Sequence, residues 1–191
     1  VYVSEDALEK VLAQPDVKSK LDKTGYEVVV GDVFRKMSDT QTPQGILCVV
    51  ERPQYCLEDM TAKEKPLLVV LENLQDPGNL GTIVRTGEGA GITGVIMSNQ
   101  TVDIYNPKTI RATMGSIYRV PFIYVESVSE TVEMLRQKGI RTYAAHLAGK
   151  DYYDSFDFRE GTAFLIGNEG NGLSKEVADT ADAYLKIPME G

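Results

Sequence analysis

From residue 67 onward, short apolar runs alternate with segments in which apolar residues recur at helical spacing. The first run, residues 67–71 (LLVVL), is apolar at every position, which is typical of a strand buried on both faces of a sheet. Further strands are predicted at residues 93–97, 122–125, 141–146, 162–166 and 183–187. Because helices are predicted between these strands, the pattern indicates an α/β domain with a mostly parallel, layered sheet.

Several helices in this part of the chain have recognisable ends. Asn106, followed by proline, predicts a helix start, because Asn caps well and Pro suits the first turn. Ser127 and Glu130 have the spacing of a capping box, and Ser174 is a further predicted cap. A helix is also predicted over residues 79–89, and the glycines that follow indicate its C-terminal end rather than a dinucleotide-binding loop.

The first third of the chain is predicted to be a separate small domain. Residues 1–56 form an α/β pattern, residues 57–66 are polar, end in proline and are predicted to be a linker, and residues 67–191 form the main domain. The elements predicted in the small domain are a short helix capped by Ser4, strands over 26–30 and 46–50, and a helical turn over 32–36.

Composition narrows the class of protein to which the chain belongs. No run of about 18 apolar residues is present, so no membrane-spanning segment is expected. Cys48 and Cys56 lack CxxC spacing, which argues against a zinc cluster or structural disulfide and favours the cytoplasm. His146 is the single histidine, so no metal site is expected. The net charge of −8 opposes nucleic-acid binding unless basic residues cluster locally or in a dimer groove.

Residues 72–86 (ENLQDPGNLGTIVRT) leave the apolar strand and enter a helix, which is where parallel α/β sheets bind ligands. On that helix Leu80 and Val84 share an apolar face, whereas Asn79 and Arg85 lie on the opposite side. The planar guanidinium of Arg85 suits a phosphate. The same pattern also fits a simple helix cap at Asn79 and a solvated surface charge at Arg85.

A second segment, residues 165–174 (LIGNEGNGLS), follows another predicted strand directly. Its glycines allow unusual backbone angles and close approach to a ligand. It matches neither the GxxxxGK[ST] nor the GxGxxG nucleotide-binding pattern, so a nucleotide-binding dehydrogenase is not supported. A flexible turn before Ser174 explains the pattern equally well. By itself, the third segment, residues 186–191 (KIPMEG), indicates only a turn after a strand.

Together these segments resemble three motifs of the SpoU, or TrmH-like, branch of the SPOUT RNA methyltransferases. Asn73 with DPGNLGTIVRT resembles the first motif, LIGNEGNGLS the second, and IPMEG the start of the third. TPQGILCVV at 42–50 resembles the exit from that family's small N-terminal domain. The resemblance covers nearly the whole chain. It implies a parallel-sheet SPOUT domain with a C-terminal trefoil knot, preceded by a small α/β RNA-binding domain.

The resemblance also implies an activity. Members bind S-adenosylmethionine in the knot, act as homodimers, need no metal, and methylate a ribose 2′-hydroxyl in ribosomal or transfer RNA. The small N-terminal domain favours ribosomal RNA. Three alternatives stay open at this point: a transfer-RNA enzyme, a methyltransferase acting on a base nitrogen, and a non-catalytic RNA-binding relative.

Site residues can be assigned by matching the motifs. Asn79 and Arg85 fall on the family's catalytic asparagine and arginine, and Glu169 falls on its conserved acid. The residues expected at the cofactor are Ala145, His146, Gly167, Asn168, Ile187 and Met189. The family's third motif continues into Ser-Leu-Asn, so the protein is expected to continue beyond Gly191, and a further segment is expected before Val1.

Overall fold

The computed structural model describes residues 1–38 and 40–189. The chain forms two compact units, Val1–Pro53 and Gln54–Gly191. Within the described ranges, no helix is both long and apolar enough to cross a membrane.

The N-terminal unit is built on a three-stranded sheet. In this sheet β1 (Tyr2–Ser4) is central, parallel to β2 (Glu27–Val29) and antiparallel to β3 (Ile46–Leu47). Its helices are α1 (Leu8–Leu12), α2 (Pro15–Thr24) and α3 (Gly31–Met37). Buried Val3, Val11 and Leu21 form its core.

This unit differs from the sequence-based prediction in three respects. The Ser4 side chain caps no helix and the residue ends β1 instead. The strand predicted over 46–50 is only two residues long, since the side chains beyond it are exposed and have nothing to pack against. Helix α2 was not predicted, because Leu21 is its one buried residue and its apolar periodicity is weak.

The C-terminal unit contains a seven-stranded sheet in which every paired neighbour is parallel. Its strands are β4 (Leu67–Leu71), β5 (Gly94–Ser98), β6 (Phe122–Val125), β7 (Arg141–Ala145), β8 (Asp151–Tyr152), β9 (Thr162–Ile166) and β10 (Ala183–Lys186). The spatial order is β6-β5-β4-β9-β7-β10-β8. The predicted parallel α/β sheet is confirmed.

Alternating residues of β4 point into two different cores. Leu68 and Val70 belong to one apolar cluster, whereas Val69 and Leu71 belong to the other. This central strand is therefore buried on both faces, as its unbroken apolar run predicted. The helices of this unit are α4 (Leu57–Thr61), α5 (Pro77–Ala90), α6 (Pro107–Ala112), α7 (Val128–Gln137) and α8 (Lys175–Thr180).

The structure differs from the linker predicted over residues 57–66. Leu57 is buried and Met60 is fully buried, both in the core of the C-terminal unit. The first half of this segment is helix α4, whose apolar residues are anchored by packing. Only two side chains of this helix are buried, which is too few to give a recognisable helical period in the sequence. The polar composition of the segment therefore indicated a linker.

Three predicted helix starts, at Asn106, Ser127 and Ser174, are confirmed by side-chain capping hydrogen bonds. Asn106 accepts a hydrogen bond from the Lys108 N–H, Ser127 from Glu130 and Ser174 from Val177. Helix α5 ends as predicted, with Gly91 in the left-handed region at φ +79°.

Candidate functional site

Two loops meet at one edge of the sheet because β4 and β9 are parallel neighbours. The loop after β4 leads into α5, and the loop after β9 leads into α8. The Glu169 carboxylate spans the space between them. It accepts hydrogen bonds from the backbone N–H groups of Gln75 (3.0 Å) and Asp76 (2.9 Å) and from the Asn79 side-chain amide (3.2 Å). Two predicted site residues from distant motifs, Asn79 and Glu169, are therefore in direct contact.

The hydrogen bonds control the charge of Glu169. Burial by itself would raise the pKa of this carboxyl. The N–H groups of Asp76 and Gln75 and the Asn79 amide outweigh burial and lower the pKa to about 2. At neutral pH Glu169 is thus an ionised acceptor that holds the two loops together, and it has no proton to give.

Asn79 is not the cap of α5. That role belongs to Asp76, whose Oδ1 accepts the Asn79 backbone N–H at 2.8 Å. The same carboxylate receives Lys108 Nζ at 3.1 Å on its other oxygen. These contacts, with the Asn79 N–H as the largest cause, lower the pKa of Asp76. The interpretation of Asn79 as a simple cap is wrong, and its amide is available to the site.

The glycine-rich loop after β9 is folded back on itself. Asn168 and Gly172 exchange two backbone hydrogen bonds, at 3.0 and 2.9 Å. Gly172 has φ +69°, a backbone conformation that favours glycine. A Cβ on Gly167 would lie 2.1 Å from backbone atoms of Gly172 and Leu173, so only glycine fits there.

The Asn168 side chain fixes this loop from inside. Its Oδ1 accepts the N–H groups of Gly170 (2.9 Å) and Asn171 (3.0 Å), and its Nδ2 donates to the Asn73 carbonyl (2.9 Å). Asn73 itself has φ +56°, unusual for a residue other than glycine. The loop is therefore a braced structure tied to its neighbour, rather than an unconstrained turn.

A second carboxylate, that of Glu72, also joins the segment after β4 to the segment after β9. Glu72 is buried and accepts both the backbone N–H and the hydroxyl of Ser174, each at 2.7 Å. Glu72 is not among the site residues predicted from the sequence. One signal was available: Glu72 directly follows a fully apolar strand, at the strand end where ligand and loop contacts gather.

A cavity of about 420 Å³ opens beside these loops. Five of the nine predicted site residues border it: Asn79, Glu169, Ala145, Gly167 and Asn168. Its other lining residues, Leu74, Thr82, Ile83, Ile166 and Gly172, were not predicted. They come from elements that are separate in sequence and meet only through the strand order.

The other four predicted residues do not border this cavity. Arg85 lies on the exposed side of α5 and makes no hydrogen bond or ion pair within the part of the chain that is described. His146 Nδ1 accepts the Ala148 N–H at 3.1 Å. Ile187 and Met189 follow β10 and are exposed, Met189 by 80%. In addition, the described residues contain no group of three or more His, Cys, Asp or Glu placed to hold a metal.

Comparison with known proteins identifies the family. Residues 66–191 match the family model described as the SpoU rRNA Methylase family. The chain belongs to this family. A relative in Bacillus subtilis, named 23S rRNA (guanosine(2553)-2′-O)-methyltransferase RlmP, is 30% identical over 187 residues, which are 96% of this chain and 73% of the relative.

Two further proteins extend the likeness. A Streptomyces viridochromogenes protein named 23S rRNA (uridine(2479)-2′-O)-methyltransferase is 31% identical over 175 residues, which are 88% of this chain and 61% of the relative. A crystal structure of an AdoMet-bound rRNA methyltransferase from Sinorhizobium meliloti superposes with a TM-score of 0.82 at 31% identity. That match covers all of this chain and 71% of the other.

Proposed function

We propose that this protein transfers a methyl group from S-adenosylmethionine to a ribose 2′-hydroxyl of ribosomal RNA. The observation that carries the proposal is the Glu169 carboxylate, which fastens Asn79 and the loop before it to the glycine-rich loop at the edge of a cavity. The names of the two relatives, both 23S rRNA 2′-O-methyltransferases, support ribosomal RNA over transfer RNA. The solved relative with AdoMet bound supports the cofactor.

The cavity suits S-adenosylmethionine in size and lining. Its volume of about 420 Å³ falls within the range of small-molecule sites, roughly 300–1,000 Å³. Apolar side chains cover part of the wall, and Gly167 and Gly172 of the glycine-rich loop border it without side chains. We assign Ala145, Gly167 and Asn168, which border the cavity, to the cofactor. His146, Ile187 and Met189 do not border it and are assigned to the cofactor on the motif match alone. S-adenosylmethionine supplies an activated sulfonium methyl group when bound.

The amide of Asn79 has a fixed orientation. Because an ionised Glu169 can only accept, Asn79 must present Nδ2 to it, at 3.2 Å. The Asn79 Oδ1 is then free to accept a hydrogen bond from the ribose 2′-hydroxyl. Such a contact orients the attacking oxygen for in-line displacement, which requires an approach of about 3–3.5 Å.

We assign Arg85 to binding the RNA rather than to accepting the proton of the ribose 2′-hydroxyl. An arginine in a protein stays charged, so it is a poor base. Its planar fork suits the phosphate beside the target ribose and stabilises negative charge that develops on the attacking oxygen. The hydroxyl proton passes to that phosphate or to water. The lack of any hydrogen-bonding or ionic partner for Arg85 within the described residues is consistent with this assignment.

We also propose that the C-terminal segment forms a trefoil knot. Strand β10 pairs with both β7 and β8, so it lies between two strands that are consecutive in sequence. The connection between those two strands passes close to β10, because a Cβ on Gly149 would lie 3.0–3.1 Å from backbone atoms of Leu185 and Lys186. The close packing of β10 against this earlier connection supports a chain that is threaded through it, which is rare among protein folds.

The remaining assignments concern assembly and location. We propose that Val1–Pro53 binds RNA without taking part in chemistry, since none of the three motifs lies in it. We propose a homodimer in the cytoplasm. The dimer is supported by Leu147, Ile187 and Met189, which expose apolar surface after the neighbouring strands β7 and β10.

The decisive experiment uses radiolabelled S-adenosylmethionine and ribosomal RNA from cells that lack the gene. Wild-type protein should place label on ribose, in an alkali-resistant dinucleotide. Arg85→Ala should lower single-turnover transfer by about 10²–10³-fold while calorimetric cofactor binding stays unchanged. Arg85→Lys should restore little, because a point charge does not reproduce a planar fork. Lys138→Ala, which removes an exposed cation immediately after the end of α7, is the matched control.

Two results would count against the proposal. RNA binding by the wild-type protein without any methyl transfer would favour the non-catalytic relative. Label recovered on a base rather than on ribose would favour the alternative methyltransferase class.

A further inference from the structure

We propose that an exposed ridge beside Arg85 binds single-stranded RNA next to the target nucleotide. The ridge consists of Lys108, Arg111, Met114 and Tyr118, which follow one another at intervals of three or four residues. This inference rests on the proposed function and deepens it, because it names the surface and the form of RNA that the surface recognises.

Contacts between α5 and the segment after it place the ridge. A Cβ on Gly78 would lie 3.6 Å from Lys108 Cε, and one on Gly81 would lie 2.4 Å from the Ala112 Cβ. Farther along α5, Glu88 accepts a hydrogen bond from the Ser116 hydroxyl at 2.6 Å. Helix α5 therefore runs alongside residues 108–116 for three turns.

Arg85 lies on that same face of α5. Positions 78, 81, 85 and 88 share one face of a helix, because they are spaced three, four and three residues apart. Arg85 thus falls between the contact made by Gly81 and the contact made by Glu88. This places Arg85 on the side of α5 that faces residues 112–116, so we infer that the assigned phosphate contact and the ridge belong to one continuous surface.

Met114 carries two unfavourable features at one position. Its backbone has φ +50°, although it is not glycine, and its side chain is 73% exposed. Strained backbone of this kind persists mainly at functional sites, and exposed apolar side chains mark binding surfaces. Four residues farther along the chain, Tyr118 is 70% exposed and accordingly offers its ring to a partner.

The charges of the ridge favour RNA as that partner. Arg111, like Arg85, has no hydrogen-bonding side-chain partner among the residues that the structure describes. Two uncompensated arginines stand out in a chain of net charge −8 and suit phosphate oxygens. The phenol ring of Tyr118 and the thioether of Met114 suit the faces of bases, and only unpaired bases expose those faces. The combination therefore selects single-stranded over double-stranded RNA.

The test measures RNA binding by the whole protein through fluorescence anisotropy. The probes are a labelled 15-nucleotide single strand of mixed sequence and the duplex that it forms with its complement. Tyr118→Ala should raise the single-strand Kd by roughly 5- to 150-fold, the range expected for one lost base stack. Arg111→Ala should reduce the slope of log Kd against log salt by about 0.7, the value for one lost phosphate contact.

Controls separate binding from folding and from the cofactor. Lys138→Ala should leave the single-strand Kd unchanged, because Lys138 lies at the C-terminal end of α7 and outside the ridge. All variants should keep the wild-type melting temperature, since substitution of exposed side chains alters stability little. Calorimetric binding of S-adenosylmethionine should also be unchanged.

Each outcome bears on a separate statement. If the variants bind RNA like the wild type while methyl transfer proceeds, the ridge is refuted and the proposed function stands. If the variants lose RNA binding while the wild type transfers no methyl group, the ridge stands and the proposed function fails. Equal losses for single strand and duplex contradict single-strand recognition. Conversion of a dimer to a monomer by Tyr118→Ala in sedimentation identifies the ridge as a contact between two copies and overturns the proposal.

Discussion

Gly167→Ala tests whether the braced loop forms the cofactor site. The added Cβ would lie 2.1 Å from backbone atoms of Gly172 and Leu173, whereas ordinary van der Waals contact begins at 3.4 Å. Because backbone atoms cannot turn away as a side chain can, the loop must move by about 1 Å or break its paired hydrogen bonds. We expect a loss of roughly 1–3 kcal/mol in the free energy of unfolding, the usual cost of overpacking. A displacement of this size also costs about 10²-fold in rate.

The same loop supplies the control for this prediction. A Cβ on Gly170 would meet only Asn168 Oδ1, at 3.5 Å, so Gly170→Ala should fold and bind normally. Calorimetric titration with S-adenosylmethionine and thermal unfolding should be measured on both variants. Gly167→Ala should show much weaker cofactor binding and a melting temperature lower by a few degrees. Wild-type cofactor affinity in Gly167→Ala would refute the assignment of this loop to the cofactor.

Two further predictions concern the carboxylates that join the loops. The pKa of Glu169 is lowered from 4.5 to about 2 on folding, so its contribution to stability is complete above pH 4.5 and disappears as the pH falls towards 2. The difference in melting temperature between wild type and Glu169→Gln should follow that course, and a difference independent of pH would contradict the pairing. Ser174→Ala removes both a donor to buried Glu72 and the cap of α8, so unfolding free energy should fall by about 1–2 kcal/mol, measured by denaturant titration. An unchanged midpoint would show that neither contact stabilises the fold.

Local patterns predicted the parts of the site that depend on neighbouring residues. The buried strand at residues 67–71 and the helix after it follow from an apolar run and a helical period. Their sequence alone placed Asn79 at the carboxyl end of the sheet, where the cavity lies. The braced loop was more ambiguous, because glycines fit a flexible turn as well as a close backbone approach. The contact between Gly167 and Gly172 and the hydrogen bonds of Asn168 rule out the flexible turn.

Contacts between distant residues could not be predicted from local patterns. Glu72 and Ser174 are 102 residues apart, and they meet because β9 lies beside β4 although four strands separate them along the chain. Strand order depends on how the whole sheet packs, which no short segment specifies. The same limit explains the unpredicted cavity residues, since Ile166 and Leu74 become neighbours through that order alone.

The acidic composition and the proposed RNA substrate are compatible once charges are counted where they lie. Around the ridge, acidic side chains are already engaged, since Asp76 binds Lys108 and Glu88 binds Arg119. Screening at physiological salt limits the influence of more distant carboxylates to about 8 Å. An RNA strand at the ridge therefore meets the uncompensated charges of Arg85 and Arg111 rather than the net charge of the whole protein. With few cations to hold it, such a strand must gain much of its affinity from stacking, so the exposed ring of Tyr118 matters more here than it would in a basic protein.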